Sequence, residues 1–243
     1  MRVRVGTCGF PEARKILFRD LDIIEVQQTF YHPPGEQTVR RWREEAPADY
    51  AFSLKAWQLI THPPSSPTYR RLRRQLSDTE KQLCGYFQLN DLTRQAWSQV
   101  SQLADILNAV AIVCQAPPSF RPTIENLECL KRFFAEVRRG EWKIVFEPRG
   151  PGWHDDILEP LLLECGLVHG VDPFLNHSLS RDWHYYRLHG LPAYHYRYRY
   201  SDEDLSNLAG MLPRQGSVQV LFNNLSMAQD AKRFKALLTN PIE

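Results

Sequence analysis

Apolar and β-branched residues gather in short runs along the chain, set between longer segments with helical spacing. The runs are Val3–Gly6, Ile23–Gln27, Ala51–Lys55, Val110–Gln115, Trp142–Glu147, Leu167–Asp172, Tyr185–His189 and Val218–Asn223, and each predicts a strand. Between most of them the pattern predicts helices, over Glu36–Glu45, Leu92–Leu107, Ile124–Arg139, Asp155–Cys165, Asp202–Leu212 and Met227–Leu238. Leu127, Leu130, Phe133, Phe134 and Val137 show the helical spacing plainly, after a Pro122-Thr123 start and before a Gly140 stop. Ser201-x-x-Asp204 resembles a capping box. Strand-helix alternation makes right-handed βαβ units and a parallel sheet. Eight such units in 243 residues predict an α/β fold, a (β/α)8 TIM-like barrel with residues 1–243 as a single domain. The stretch 58–93, with Pro63-Pro64, Ser65-Ser66-Pro67 and Arg70-Arg71-Leu72-Arg73-Arg74, predicts an excursion after strand three, over or beside the barrel mouth.

Each predicted strand begins apolar and acquires polar residues near its C-terminal end. These are Glu25 and Gln27, Lys55, Gln115, Glu147 with Arg149, Asp172, Arg187 with His189, and Asn223 with Asn224. Alternation puts Glu25 with Gln27, Glu147 with Arg149, and Arg187 with His189 on common faces. In a parallel barrel these ends share one rim, where such barrels carry their chemistry. Any one buried Glu, Arg or His is more often half of a satisfied ion pair than a catalyst. A whole ring of them costs too much desolvation to be kept for packing, which points to a ligand site. The seventh strand then runs into Tyr194-His195-Tyr196-Arg197-Tyr198-Arg199-Tyr200, an alternation of tyrosines and cations suited to an anionic or planar ligand.

These residues also resemble a known set of motifs. Val5-Gly6-Thr7-Cys8-Gly9-Phe10 resembles G-T-S-G-W, and Ile24-Glu25-Val26-Gln27-Gln28-Thr29-Phe30-Tyr31 resembles V-E-I-N-S-T-F-Y. Thr38-Val39-Arg40-Arg41-Trp42, Pro47, Phe52-Ser53-Leu54-Lys55-Ala56 and Thr61-His62 follow in order. Gln115-Ala116-Pro117-Pro118-Ser119-Phe120 resembles Q-L-P-P-S-F, and Glu147-Pro148-Arg149 through Trp153 resembles E-F-R-H-P-S-W. Asp172, Arg187-Leu188-His189-Gly190, Tyr198 and Phe222-Asn223-Asn224 complete the series. Over essentially its whole length the chain resembles the YecE-like family, domain of unknown function seventy-two. The resemblance implies a TIM-like barrel and no established reaction. It also implies a barrel similar to those of sugar isomerases and metal-dependent apurinic endonucleases, an analogy of fold only. The chain departs from the motifs at Cys8 (usually Ser), Phe10 (Trp), Gln27 (Asn) and Leu225 (an acid), and the changes at Gln27 and Leu225 suggest a variant site. A nucleophilic Cys8 is disfavoured, because no base stands beside it in the sequence.

Composition narrows the partners. The net charge of +2 excludes a generic polyanion binder, so any nucleic-acid affinity must come from a local patch. Five scattered cysteines without a CxxC pair predict a reducing, cytoplasmic location and no disulfide framework or thiolate zinc site. The opening MRVRVGTCGF reads as a strand and not as a signal peptide, and no apolar run approaches the ~20 residues of a membrane span.

The chemistry these residues fit is that of a hydrolase acting on a phosphorylated or nucleic-acid substrate, either a single strand or a small phosphate ester. Lys55, Arg149 and Arg187 would hold phosphate oxygens. Glu25 or Glu147 would be the general base and His189 a general acid or base, with Asp172 beside them. Gln115, Tyr31, Tyr198, Asn223 and Asn224 are the further substrate-binding candidates. Glu25, Glu147, Asp172 and His189 are also donors suited to Mg²⁺, Mn²⁺ or Zn²⁺, although the neighbouring cations compete for them and no HxxxH spacing occurs. His62, His154 and His177 read as incidental loop histidines, and Arg70–Arg74 as a solvated helix face. Two other classes fit the same residues. One is an isomerase or lyase on a phosphosugar or hydroxy acid; the other is a non-enzymatic barrel that binds an anion or a partner.

Overall fold

The computed structural model describes residues 1–239. The chain runs β1 (Arg2–Cys8), α1 (Arg14–Asp20), β2 (Ile23–Val26), α2 (Gln28–Tyr31), α3 (Glu36–Glu45), β3 (Ala51–Lys55), α4 (Gln58–Thr61), α5 (Asp78–Gln82), α6 (Asp91–Leu107), β4 (Ala111–Gln115), α7 (Ile124–Glu136), β5 (Lys143–Glu147), α8 (Asp155–Cys165), β6 (Val168–Val171), β7 (Trp183–Leu188), α9 (Asp202–Gly210), β8 (Ser217–Phe222) and α10 (Met227–Thr239). The eight strands close a parallel barrel in sequence order, as strand-helix alternation predicts. No helix among the described residues is long and apolar enough to cross a membrane.

The residues gather into two compact units, Met1–Val26 with Glu45–Phe52 and the chain from His169, and Gln27–Glu44 with Ser53–Val168. In the first, β1 pairs with β8 from Arg2↔Ser217 to Thr7↔Phe222, and β7 pairs with β8 from Trp183↔Ser217 to Leu188↔Phe222. Val5, Leu188, Val220 and Phe222 are buried there, and α10 adds Ala228, Ala231 and Phe234. Each such large apolar side chain contributes roughly 1.5–3 kcal/mol of burial. In the second unit, β4 and β5 pair from Ala111↔Lys143 to Gln115↔Glu147. Phe87 packs there against Phe120, Phe133, Phe134 and Phe146, with ring centroids 5.3–5.9 Å away.

Local signals explain most boundaries. Thr123 caps α7, and Ser201 with Asp204 forms a complete capping box on α9. The pattern-based expectation misses the short helix α2 and differs at three further points. Helix α1 goes unannounced, because its Ala13 N-cap offers no side-chain acceptor and it buries only Leu17 and Phe18. Helix α7 stops at Glu136 and not at Arg139: Val137 turns extended, and the Arg139 guanidinium reaches back to the carbonyl of Phe134 at 3.2 Å. The stretch 58–93 holds α4, a 3₁₀ turn over Pro67–Arg71 and α5, folded back so that the amides of Gly85 and Phe87 donate to the carbonyls of Leu59 and Ile60.

Candidate functional site

In the first unit the ends of β2 and β7 meet through a buried ion pair. Arg187 donates from Nε to Glu25 Oε2 at 2.9 Å and from Nη2 to Glu25 Oε1 at 2.8 Å. The Tyr185 hydroxyl donates to the same Oε2 at 2.9 Å. Arg187 and Glu25 are both fully buried, and Cys8 Sγ stands 3.8 Å from Arg187 Nη2. The geometry is the two-pronged guanidinium–carboxylate fit, held by a third donor. It ties both Glu25 oxygens to the barrel.

Beyond β7 the same unit carries the aromatic-cationic segment. Asp172 Oδ2 accepts the backbone N–H of His189 at 3.0 Å, and Oδ1 accepts that of Phe174 at 3.1 Å. His189 is fully buried, with Nδ1 3.7 Å from Asp172 Oδ2, just beyond hydrogen-bond distance. The rings of Tyr194 and Tyr196 meet the imidazole edge-on, with centroids 5.5 and 5.9 Å away. Both tyrosines are exposed, as are Arg197 and Arg199. Gly190 makes the turn into this loop at φ +86°, and a Cβ there would stand 2.1 Å from the carbonyl oxygen of His195.

The loop is fastened from behind. Gly190 N–H donates to the Tyr200 hydroxyl at 2.8 Å, and the Leu225 amide donates to the Tyr196 carbonyl at 2.7 Å. Asn224 Nδ2 donates to the Tyr198 carbonyl at 2.8 Å and to Asp230 Oδ2 at 2.7 Å. The Tyr198 hydroxyl donates to Asp204 Oδ2 at 2.6 Å, a bond that pushes its pKa up to about 12. Tyr198 and Asn224 thus spend these polar groups on holding the loop. Asn223 is half-buried, and its amide donates to the Leu188 carbonyl at 2.8 Å.

The second unit has its own polar cluster. Lys55 Nζ donates to Gln115 Oε1 at 3.0 Å and lies 4.0 Å from the centroid of the Phe30 ring. Arg149 donates from Nε to Glu147 Oε1 at 2.6 Å, with Nη2 on the same oxygen. His62, only 5% exposed, touches Thr61 Oγ1 through Nδ1 at 2.7 Å and packs edge-on against Phe30. Burial, reinforced by the charges of Lys55 and Arg149, pushes its pKa down to about 3. His62 is therefore no incidental loop residue: it is a neutral imidazole in a positive field. The Arg71 guanidinium covers the Tyr31 ring at 3.6 Å, so the basic stretch is partly engaged and not wholly a solvated face. Gln58, fully buried, donates from Nε2 to the Tyr31 carbonyl at 3.3 Å and leaves Oε1 without a hydrogen-bond partner. Sequence reasoning passed over Gln58 and His62; the Thr61-His62 match to the family motif was the signal for the latter.

Among the described residues, no three His, Cys, Asp or Glu side chains stand together as a metal site requires. Glu25 is turned to Arg187 and Tyr185, and Asp172 to backbone amides, so the donor set does not fit a tightly held divalent ion.

The fold is shared with solved barrels. The DUF72 family protein EF0366 from Enterococcus faecalis V583 superposes with a TM-score of 0.74 at 19% identity, covering 98% of each chain. The DUF72 family protein TM1631 from Thermotoga maritima MSB8 gives 0.71 at 19% identity, covering 99% of this chain and 100% of that one. An AP endonuclease, family 2, from Brucella melitensis gives 0.56 at 10% identity, covering 98% of this chain and 97% of that one. At these identities the likeness concerns fold alone. No curated protein matches the chain. The family described as "Protein of unknown function DUF72" matches residues 14–242, and the chain belongs to that family.

Proposed function

We propose that the chain is a hydrolase acting on a phosphorylated or nucleic-acid substrate, with His189 as the proton-transfer group and the Tyr194–Tyr200 loop as the substrate's approach. One observation carries this reading. A buried histidine, its backbone held by an aspartate, is roofed edge-on by two exposed tyrosines of a loop that also bears two exposed arginines. Exposed aromatic faces stack bases or sugars, and guanidiniums meet phosphate oxygens. In the reaction, water adds to phosphorus and the P–O ester bond breaks. Once the Tyr194 and Tyr196 rings turn aside from the buried imidazole, the leaving oxygen takes a proton from His189, while the attacking water loses one to solvent. Glu25 and Glu147 become positioning residues for Arg187 and Arg149.

The commitment of both Glu25 oxygens favours a second reading, a barrel that binds an anion without turnover. One experiment separates the two. Wild type, His189→Asn and Arg197→Ala/Arg199→Ala are assayed on labelled single-stranded DNA and RNA and on nitrophenyl phosphate mono- and diesters. His189→Asn should slow turnover about 10²–10⁴-fold with binding retained. The double arginine variant should lower the logarithmic salt slope of binding by about 1.4. Binding without cleavage would leave the second reading. If wild type cleaves none of these substrates, or His189→Asn cleaves as fast, the hydrolase assignment is wrong.

A further inference from the structure

The first unit carries another charged cavity, at the N-terminal ends of its strands. Arg2 and Arg4, two residues apart on β1, line it with Arg19, Lys235, Asp22, Asp49, Phe18 and Tyr50, and its volume is about 330 Å³. Asp22 is already committed: Oδ1 takes Lys235 Nζ at 2.7 Å and Oδ2 takes the Val5 N–H at 3.0 Å. The Arg4 guanidinium finds only a neutral partner, Gln219 Oε1, at 3.4 Å. Neither Arg2 nor Arg4 has a carboxylate within ion-pair distance among the described residues. Burial and the Arg2 charge pull the Arg4 pKa below its ordinary value, and the more distant Asp22 and Asp49 offset this only in part. Two like charges on one strand face, one of them half-buried, with no counterion on either, is an arrangement that folding alone does not favour. Phe18 and Tyr50, whose ring centroids lie 4.8 Å apart, add an aromatic wall.

We infer that this cavity binds a small organic phosphate, with its phosphoryl oxygens on Arg2, Arg4 and Lys235 and its body against Phe18 and Tyr50. Three cations match the three terminal oxygens of a phosphomonoester, whereas a carboxylate offers two. The volume falls in the range of small-molecule sites, about 300–1,000 Å³. The site is separate from the Tyr194–Tyr200 loop and stands whether or not the hydrolase reading does.

Calorimetric titration at constant ionic strength tests it, using inorganic phosphate, adenosine 5′-monophosphate and, as the carboxylate control, acetate. Both phosphate probes should bind, and acetate more weakly. Arg2→Gln and Arg4→Gln should each weaken phosphate binding about tenfold or more. Arg4→Lys should lose less. The same signal should persist in the Arg197→Ala/Arg199→Ala background, which assigns it to this cavity and not to the loop. Phosphate affinity undiminished in Arg2→Gln, or no binding of either phosphate probe to the wild type, overturns the inference. Arg2 is exposed, so its variant decides the matter even if Arg4→Gln fails to fold.

Discussion

Replacing Glu25 by Gln tests whether the buried pair is a structural strut. Arg187 and Glu25 are fully buried, with Arg187 Nη2 2.8 Å from Oε1 and both Arg187 Nε and the Tyr185 hydroxyl on Oε2. An amide can keep its carbonyl toward Oε2's two donors, but its NH₂ then faces Nη2, donor against donor. The guanidinium also stays charged and loses its counter-charge. Removing one partner of such a pair costs about 3–5 kcal/mol. At about 2–4 °C per kcal/mol for a chain of this size, the midpoint should fall by roughly 6–20 °C. Glu25→Leu/Arg187→Met, which removes both charges, should recover to within about 2 kcal/mol of wild type. Urea unfolding and thermal melts of Glu25→Leu, Arg187→Met and the double variant complete a mutant cycle alongside Glu25→Gln. If Glu25→Gln costs less than about 1 kcal/mol, or the two substitutions simply add, the pair is not the sealed strut its geometry describes.

Three further outcomes follow from the geometry. His62 titrates near 6.5 unfolded and near 3 folded, so its neutral form stabilises the fold above pH ~6.5. That contribution is lost as pH falls toward 3, at up to about 1.4 kcal/mol per pH unit; urea midpoints between about pH 4 and 7 should flatten in His62→Gln. Gly190→Ala should destabilise by at least about 1–3 kcal/mol, since φ +86° and the His195 carbonyl exclude a Cβ; unchanged melting would refute it. Asp230→Ala removes the acceptor of Asn224 and Ser226, both at 2.7 Å, and of Arg233 at 3.1 Å. It should cost about 3 kcal/mol and speed hydrogen exchange most in the Tyr194–Tyr200 loop, by more than the global loss of stability adds elsewhere.

The barrel was legible because its strands are short apolar runs whose ends change character, and each of the eight predicted runs overlaps an observed strand. What pattern could not reach was partner choice. Alternation placed Arg187 and His189 on one face, yet nothing local says that Arg187 will be spent on Glu25, 162 positions away. Tyr198 looked like a stacking residue, because its bond to Asp204 forms only once the loop folds back on α9. Asn224 looked like a rim amide for the same reason, until the loop closed over it and Asp230 took its donors. His62 was misjudged in the other direction: a histidine in an irregular, proline-rich stretch reads as exposed, but the fold of 58–93 buries it.

These partner choices move the centre of the functional argument. On sequence, a ring of acids and cations was the reason to expect a site. In the structure, Glu25 braces Arg187 and Glu147 braces Arg149, and such pairs are as consistent with a rigid scaffold as with catalysis. The segment that scaffold demands do not explain is the loop after β7. It leaves Arg197 and Arg199 in solvent and spends only the edges of the Tyr194 and Tyr196 rings on covering His189, so much of both rings stays exposed. Yet Gly190, Tyr200, Asn224 and Asp230 fasten its backbone by hydrogen bonds. Fixing an exposed aromatic loop costs conformational entropy that the fold itself does not recover. A ligand that meets an already ordered surface does recover it, because less ordering remains to oppose binding. If so, loosening the loop with Asp230→Ala should weaken oligonucleotide binding even though Asp230 touches no solvent, and binding that survives a loosened loop would return the argument to the ring.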